Sequence, residues 1–261
     1  MDVLLILLLV VFGLIAGILG GFLGTGGCVI MLPTLYFLYN YSLPTAIGTT
    51  IVAVIITASS GSIAHIRMKN VDYRTTLVVA TSGGVGAVVG SIAFQYLIAQ
   101  LPLLKLIIGL AFLYVSVRMI YEGIFRRRAA EKIGKAVPGT IPAKALIGFF
   151  IGVLTGIIGL GGGYALVPSF IYLLGSPVKI AVGTSLMSFI SMAAISGGFK
   201  IYQGVVDVAA ALSLGVGTTI GAQIGAKLVP RVPAWMIRAI FGIVFLYVSL
   251  KFILEIFGVR I

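Results

Sequence analysis

The sequence predicts an all-α polytopic membrane protein that is built from two homologous repeats. Hydrophobic residues make up 60% of its 261 residues and charged residues only 9%, a composition typical of membrane-spanning chains and not of soluble domains. A glycine-rich interruption occurs twice, because an offset of 135 residues carries Gly-Thr-Gly-Gly at 24–27 onto Gly-Leu-Gly-Gly at 159–162, with Gly163 next. The same offset carries Pro33 onto Pro168. These observations predict one unit that is present twice.

The repeat extends well beyond the glycine motif. The offset pairs Gly48-Thr49 with Gly183-Thr184, and Asp72 with Asp207, without any gap. The sequence therefore predicts repeat one over 1–125, a basic connector over 126–143 and repeat two over 144–261. Eight apolar stretches, four in each repeat, are bounded by charged or Pro/Gly-rich loops. Their approximate bounds are 3–39, 44–66, 75–97, 103–124, 144–174, 179–199, 207–228 and 235–257.

Positive charge is concentrated in short loops. The net charge is +12, and the connector contains Arg126-Arg127-Arg128. The positive-inside rule therefore places the connector in the cytoplasm and argues against nucleic acid as a partner. We expect a multi-pass protein of the plasma (inner) membrane whose partners are the lipid bilayer and a small anion. The sequence leaves open whether the protein is a homo-oligomer.

The first stretch of each repeat is too long for one straight crossing. Residues 3–39 as a single helix would extend about 55 Å, whereas the hydrocarbon core is about 30 Å thick. Glycine disfavours helix by about 1 kcal/mol relative to alanine, so we place the interruptions at 24–27 and 159–163. The two arms could form one bent crossing, with parallel repeats, or a re-entrant hairpin, with inverted repeats. Counts of Lys and Arg differ by one residue between these topologies, and segment length favours the re-entrant, inverted one.

The interruptions are the candidate substrate site. Irregular backbone is tolerated at membrane depth only where it is buried in protein or lines a polar cavity. The helix that follows each interruption presents free N–H groups and a positive dipole end, which attract anions. Close helix packing is the alternative role, and for the pairs Gly86/Gly90 and Gly221/Gly225 it is the preferred one. The predicted substrate-binding glycines and their neighbour are Gly24, Thr25, Gly26, Gly27, Gly159, Gly161, Gly162 and Gly163.

Paired hydroxyls complete the predicted site. Thr49 and Thr50 in the second stretch of repeat one correspond to Thr184 and Ser185 in repeat two. These hydroxyls could donate to an oxyanion, or they could bond to a carbonyl of the preceding turn. His65 and Lys200 are equivalent by the offset, and we predict them as pathway or coupling residues near the mouth of the path. Snorkelling at the interface is the alternative for both side chains.

The remaining polar residues exclude several function classes. All six acidic residues lie at segment ends or in loops, so no buried carboxylate relay and no cation site is visible. With one Cys and one His, Cys28 and His65 cannot form a metal cage. The sequence contains no catalytic constellation, phosphate loop or redox motif. We therefore predict a protein that is not an enzyme and has no metal and no cofactor.

These motifs together resemble the sulfite exporter TauE/SafE family of transmembrane transporters for sulfur compounds. The resemblance rests on the glycine series from Gly13 to Gly27 with Pro33, on its second copy through Pro168, on the two Gly-Thr pairs and on the Val-Asp starts of the third stretches. It implies a secondary transporter, and specifically an exporter, of small sulfur anions such as sulfite or organosulfonates. An anion channel, an uptake permease for another sulfur oxyanion such as thiosulfate, and a non-transporting scaffold are the alternatives. A coupled proton could travel on the anion itself or through His65.

Overall fold

The computed structural model of this chain describes residues 3–121, 134–228 and 234–258. This part of the chain is all-helical and contains no strand, which confirms the all-α part of the predicted fold class. Its ten α-helices are α1 Val3–Leu23, α2 Cys28–Pro33, α3 Leu43–Arg67, α4 Tyr73–Leu97, α5 Leu101–Ile120, α6 Ile141–Ile158, α7 Gly163–Pro168, α8 Val178–Tyr202, α9 Val208–Leu228 and α10 Ala234–Ile256. Six of them, α1, α3, α4, α6, α8 and α9, are long and apolar enough to cross a membrane.

Internal contacts divide the chain into two compact units. The first unit comprises Met1–Phe94 and Lys132–Val229, and the second comprises Gln95–Glu131 and Pro230–Ile261. The first unit contains both glycine interruptions and therefore all of the predicted site. The repeat boundaries at 1–125, 126–143 and 144–261 remain a prediction about the sequence, and residues 126–133 of the connector lie outside the described part.

Within the first unit, the first long helix of each predicted repeat packs against the third helix of the other. Gly13 and Gly21 of α1 lie against Leu214 and Ala222 of α9, so the two helices run parallel. A Cβ atom at either glycine would overlap backbone atoms of α9. In the same way, Gly221 of α9 lies against a backbone carbonyl of α1. Small residues let the backbones approach this closely, as in other membrane helix pairs.

Helices α4 and α6 form the equivalent parallel pair. Gly86 and Gly90 of α4 lie against the carbonyl oxygens of Phe149 and Val153 of α6. The packing role that the sequence predicts for these glycines is confirmed, as it is for Gly221. The pattern predicts close approach but does not name the partner helix, and here each partner comes from the other half of the sequence.

Helices α3 and α8 lie antiparallel at the centre of the first unit. The start of α8 approaches the end of α3, where Thr184 Oγ1 accepts from the Asp72 N–H at 3.0 Å. The start of α3 approaches the end of α8 in the same way, where Thr49 Oγ1 accepts from the Asp207 N–H at 3.0 Å. The two contacts are equivalent under the 135-residue offset. An approximate two-fold axis perpendicular to both helices therefore superimposes α3 on α8.

A short helical arm follows each interruption. Helix α2 continues as a π-helical turn over Thr34–Leu38, and α7 continues as one over Ser169–Leu173. Each wide turn follows a proline, Pro33 or Pro168, which has no N–H for the regular helix bond. The first arm runs back along α1, because the Tyr39 and Phe12 rings lie 6.0 Å apart.

The second unit is a pair of antiparallel helices, α5 and α10. Ser249 Oγ of α10 donates to the Gly109 carbonyl of α5 at 2.8 Å. The Phe112 and Phe245 rings lie 5.7 Å apart. Apolar and small residues thus form most of this contact.

Candidate functional site

Both interruptions are built from glycines in the left-handed backbone region. Helix α1 ends at Leu23, and φ is 75° at Gly24, 69° at Gly26 and 73° at Gly27. In the second interruption φ is 68° at Gly159 and 55° at Gly161. L-residues with a side chain rarely adopt these angles, so glycine is the residue that permits the chain to reverse here.

The two interruptions meet at the middle of the first unit. A Cβ atom at Gly26 would lie 2.8 Å from the Phe189 ring and 3.2 Å from Val54 Cγ1, and a Cβ atom at Gly161 would lie 3.3 and 2.6 Å from the same two side chains. Gly163 lies directly against the Gly24 carbonyl. All twelve predicted substrate-binding residues are buried. Of these residues, Gly26, Gly161 and Gly163 lie against the Phe189 ring, whereas Thr49 and Thr184 contact the loops before α9 and α4.

Sequence reasoning missed Phe189. The offset pairs it with Val54, and a phenylalanine within an apolar helix carries no signal of a special position. Its ring is buried and occupies the space between the two interruptions, where the substrate was predicted. The centre of the site is thus filled by a side chain in this conformation.

The first hydroxyl of each pair has a structural partner. Thr49 and Thr184 are buried, and each accepts from a backbone N–H at the start of a distant helix, at Asp207 and Asp72 respectively. The preceding glycine, Gly48 or Gly183, lies against a carbonyl of the same loop. The Gly-Thr pairs thus dock the loops before α9 and α4. Sequence reasoning had considered an anion or the preceding turn as the partner of these hydroxyls.

The second hydroxyl of each pair faces the interruptions. Ser185 Oγ lies 3.1 Å from the Gly24 carbonyl and 2.8 Å from the Val182 carbonyl. Thr50 occupies the equivalent position one turn after Ile47, which packs against Gly159. Thr50 Oγ1 is buried and has no hydrogen-bond partner among the described residues. Thr50 therefore offers a free hydroxyl beside the second interruption.

The second interruption has a side-chain contact that the first cannot form. Thr155 Oγ1 accepts from the Gly162 N–H at 2.9 Å, and Ser196 Oγ lies 3.4 Å from the Thr155 carbonyl. The equivalent positions in repeat one are Gly20 and Gly61. Neither of these can supply a side-chain hydrogen bond, so the two halves of the site are chemically unequal.

His65 and Lys200 lie inside the first unit. Both side chains are fully buried, whereas the sequence placed them near the mouth of a pathway. His65 Nε2 lies 3.2 Å from the Gly21 carbonyl, and Lys200 Nζ donates to the Gly156 carbonyl at 2.7 Å. These carbonyls belong to the last turns of α1 and α6, where cations are favoured by the helix dipole.

Asp72 organises the loop before α4. Its carboxylate accepts from the Thr75 N–H, from Thr75 Oγ1 at 2.6 Å and from the Val137 N–H at 2.9 Å. Burial raises the pKa of Asp72, but these hydrogen bonds and the nearby Lys144 ammonium lower it more, so the net pKa lies below the usual value. Lys144 Nζ in turn donates to the Val137 carbonyl at 2.6 Å. The carboxylate therefore ties α4 to the segment before α6.

Asp207, which is equivalent to Asp72, has different partners. Tyr41 Oη donates to its carboxylate at 2.8 Å, and the Ala210 N–H donates to it at 3.0 Å. Burial and the adjacent Asp207 raise the pKa of Tyr41 to about 12. Both aspartates thus act as helix N-caps, as their position in the sequence indicates.

Replacing Asp72 by asparagine should lower stability by about 1 kcal/mol at neutral pH, because the amide keeps the N-cap but has only one acceptor oxygen, so the Val137 N–H loses its partner. Because the folded-state pKa of Asp72 is lowered, its contribution is fully present above the unfolded-state pKa, about 3.9, and disappears as the pH falls through the folded-state value. Thermal unfolding followed by circular dichroism at several pH values would measure the difference between Asp72→Asn and the parent protein. A difference that stays constant below about pH 3 would contradict this assignment.

Metal ligands are not clustered in the described part of the chain, where no group of three or more His, Cys, Asp or Glu side chains could hold an ion. Cys28 is buried at the start of α2, and its Sγ lies 3.0 Å from the Thr25 carbonyl. The polar groups at the interruptions are therefore hydroxyls and backbone groups.

Comparison with known proteins shows which family this chain belongs to. The sequence model of the sulfite exporter TauE/SafE family matches residues 9–252. The chain belongs to this family. Among its relatives are the Bacillus subtilis probable membrane transporter proteins YunE, 29% identical over 95% of this chain and 97% of its own, and YdhB, 28% identical over 90% and 94%. A Xylella fastidiosa probable membrane transporter protein is 28% identical over 91% of both chains. No solved structure matches.

Membership of the TauE/SafE family and the six apolar helices establish a multi-pass membrane transporter. This agrees with the class of protein that the sequence predicts. The names of the relatives give transport but no substrate.

Proposed function

We propose that this TauE/SafE protein is a secondary transporter that exports small sulfur-containing anions such as sulfite or organosulfonates across the inner membrane. The observation that carries the proposal is the meeting of the two glycine interruptions around Phe189 and Val54. We assign backbone N–H groups of the interruptions, the Thr50 hydroxyl and the Ser185 hydroxyl as the donors to the anion. Such groups bind an oxyanion without adding a fixed charge.

The same geometry supports an inverted arrangement of the repeats, with each interruption as the tip of a re-entrant hairpin. The antiparallel contact of α3 with α8 is the arrangement expected of equivalent helices from inverted repeats. The parallel pairs α1–α9 and α4–α6 agree with it, and so does the contact of Tyr39 with Phe12. In this topology the broken first stretch of each repeat enters the membrane and returns to the same side. The three stretches that follow it then cross the membrane.

The filled centre favours a carrier over a channel. The Phe189 ring lies between the interruptions and fills the place where we propose that the anion binds. In the proposed cycle the ring moves aside when an anion enters, and movement of one repeat against the other alternates access. A linked proton travels on the anion, because sulfite protonates near neutral pH.

Reconstitution into proteoliposomes tests the transport step. We expect saturable sulfite efflux with counterflow, because a carrier returns with bound substrate. Replacing Gly26 by alanine should lower this flux by about tenfold or more, because the new Cβ atom meets the Phe189 ring and the positive φ at Gly26 is strained by roughly 1 kcal/mol or more. Gly198→Ala is the matched control, since a Cβ atom there has no neighbour within 4 Å.

Three results would separate the alternatives. Flux without counterflow would indicate a channel. Flux of thiosulfate but not of sulfite, or uptake in preference to efflux, would indicate an uptake permease for another sulfur oxyanion. The absence of anion-dependent flux under any gradient would exclude the proposal and leave a scaffold role.

A further inference from the structure

A polar cluster at the C-terminal end of α8 plays no part in the contacts between the two interruptions. It consists of Ser91 and Phe94 of α4, Gly156 of α6, and Lys200 and Gln203 at the end of α8, and we refer to it as the Lys200 cluster. Lys200 Nζ lies 3.4 Å from the centre of the Phe94 ring. Gln203 Nε2 donates to the Ser91 carbonyl at 3.2 Å. Three helices thus converge on one buried ammonium group.

Among the described residues, no carboxylate contacts the Lys200 ammonium. Its side chain is fully buried, and its two contacts, the Gly156 carbonyl and the Phe94 ring, are both neutral. Asp72 and Asp207 direct their carboxylates to other groups. A buried ammonium without a negative partner is strongly disfavoured, so buried charges are normally paired. Loss of the proton or binding of an anion would each remove this penalty, and the unsatisfied polar atoms of the cluster favour the anion.

Two further polar atoms in the Lys200 cluster are unsatisfied. Ser91 Oγ and Gln203 Oε1 are buried and have no hydrogen-bond partner among the described residues, and the Ser91 side chain is fully buried. Ser91 lies where α4 packs against Gly156, whose carbonyl accepts from the Lys200 ammonium, and Gln203 follows Lys200 by about one helical turn. A small oxyanion would accept from Lys200 and from Ser91. The Gln203 amide can offer its N–H to an ionised oxygen or its carbonyl to a protonated one.

The other end of the first unit has no such cluster. The offset pairs Lys200 with His65, Ser91 with Ala226 and Gln203 with Met68. Those equivalents supply one imidazole and two apolar side chains. The Lys200 cluster therefore belongs to one end of the pseudo-symmetric unit only.

We propose that the Lys200 cluster is a second anion-binding site, distinct from the one between the interruptions, that holds a small oxyanion at one end of the transport path. The identity of its ligand as the transported sulfur anion rests on the proposed function. The presence of an anion site is independent of the proposed function, because it is argued from the unpaired Lys200 and from the unsatisfied polar atoms of Ser91 and Gln203.

Binding of radiolabelled sulfite to the purified protein, measured by equilibrium dialysis, tests this inference. We expect about two anions per chain, and about one for Lys200→Met, since loss of a charged partner weakens binding by about tenfold or more. Lys200→Arg should keep both sites, and Ser91→Ala should weaken one site by about threefold to tenfold. Lys179→Met, at an exposed lysine near the start of α8, is the matched control and should keep both sites.

Different results overturn this inference and the proposed function. Unchanged binding in both Lys200→Met and Ser91→Ala would overturn the second site, even if sulfite is transported. Absence of sulfite flux, together with chloride or phosphate binding that is lost in Lys200→Met, would overturn the proposed substrate and support the second site. If Lys200→Met does not fold, Ser91→Ala and Lys200→Arg decide the question in the same assay.

Discussion

Replacing Gly221 by alanine is expected to lower the unfolding temperature of the protein by more than about 5 °C. A Cβ atom at Gly221 would overlap the Leu14 carbonyl of α1. The two helices would have to move apart along their whole contact, because Gly217 and Gly225 lie against the same helix. Overpacking of this kind costs about 1–3 kcal/mol, more than the roughly 1 kcal/mol that alanine gains within a helix.

Cys28 provides the measurement. It is the single cysteine and is buried, so a thiol-reactive fluorophore reports unfolding. Gly198→Ala serves as the control, because this glycine is exposed on α8 and has no neighbour within 4 Å of an added Cβ atom. That variant should be neutral or slightly stabilised. Equal unfolding temperatures for the two variants would contradict the close contact of α1 with α9.

Replacing Thr50 by valine is expected to reduce sulfite transport by about tenfold or more while the protein stays as stable as the parent or becomes more stable. The Thr50 hydroxyl is buried without a partner, and such a group costs about 1–3 kcal/mol in the folded state. A methyl group in its place removes this cost but cannot donate to an anion. Counterflow in proteoliposomes and the thiol-reactive unfolding assay would measure the two effects on the same preparation.

Thr49→Val is the matched control, because it makes the same change one residue earlier. Thr49 Oγ1 accepts from the Asp207 N–H, so valine leaves that donor unpaired and should cost about 1–3 kcal/mol of stability. The affinity for sulfite should not change. If Thr49→Val reduced affinity and Thr50→Val did not, the assignment of the two hydroxyls would be reversed.

Much of the fold could be predicted from the sequence because it depends on local properties. Apolar length predicts the helices, and the glycine spacing at Gly86, Gly90 and Gly221 predicts close helix contacts. The partners of those contacts could not be predicted, because a row of small residues permits approach by any helix of similar shape. The pairing of α1 with α9, which joins the two halves of the chain, therefore comes from the structure alone.

The site shows the same limit at the level of single side chains. The sequence identified Thr49 and Thr50 as one pair, although only the structure gives the first a backbone partner and leaves the second free. The sequence placed Lys200 near the mouth of the transport path, because a lysine at the end of an apolar stretch normally reaches water. The Phe94 ring and the Gly156 carbonyl hold this ammonium inside instead. Phe189 had no sequence signal, since its importance depends on the position of two distant glycines.

The cross-pairing of the long helices has a consequence for biogenesis. Helix α1 is synthesised first, yet the groove into which its glycines fit belongs to α9, which leaves the ribosome near the end of translation. Helix α6, in contrast, is synthesised after its partner α4, so this pair can form as soon as α6 is inserted. The nascent protein must therefore keep α1 in the membrane without its partner while most of the chain is inserted, and only α10 remains to be synthesised when α9 arrives beside it.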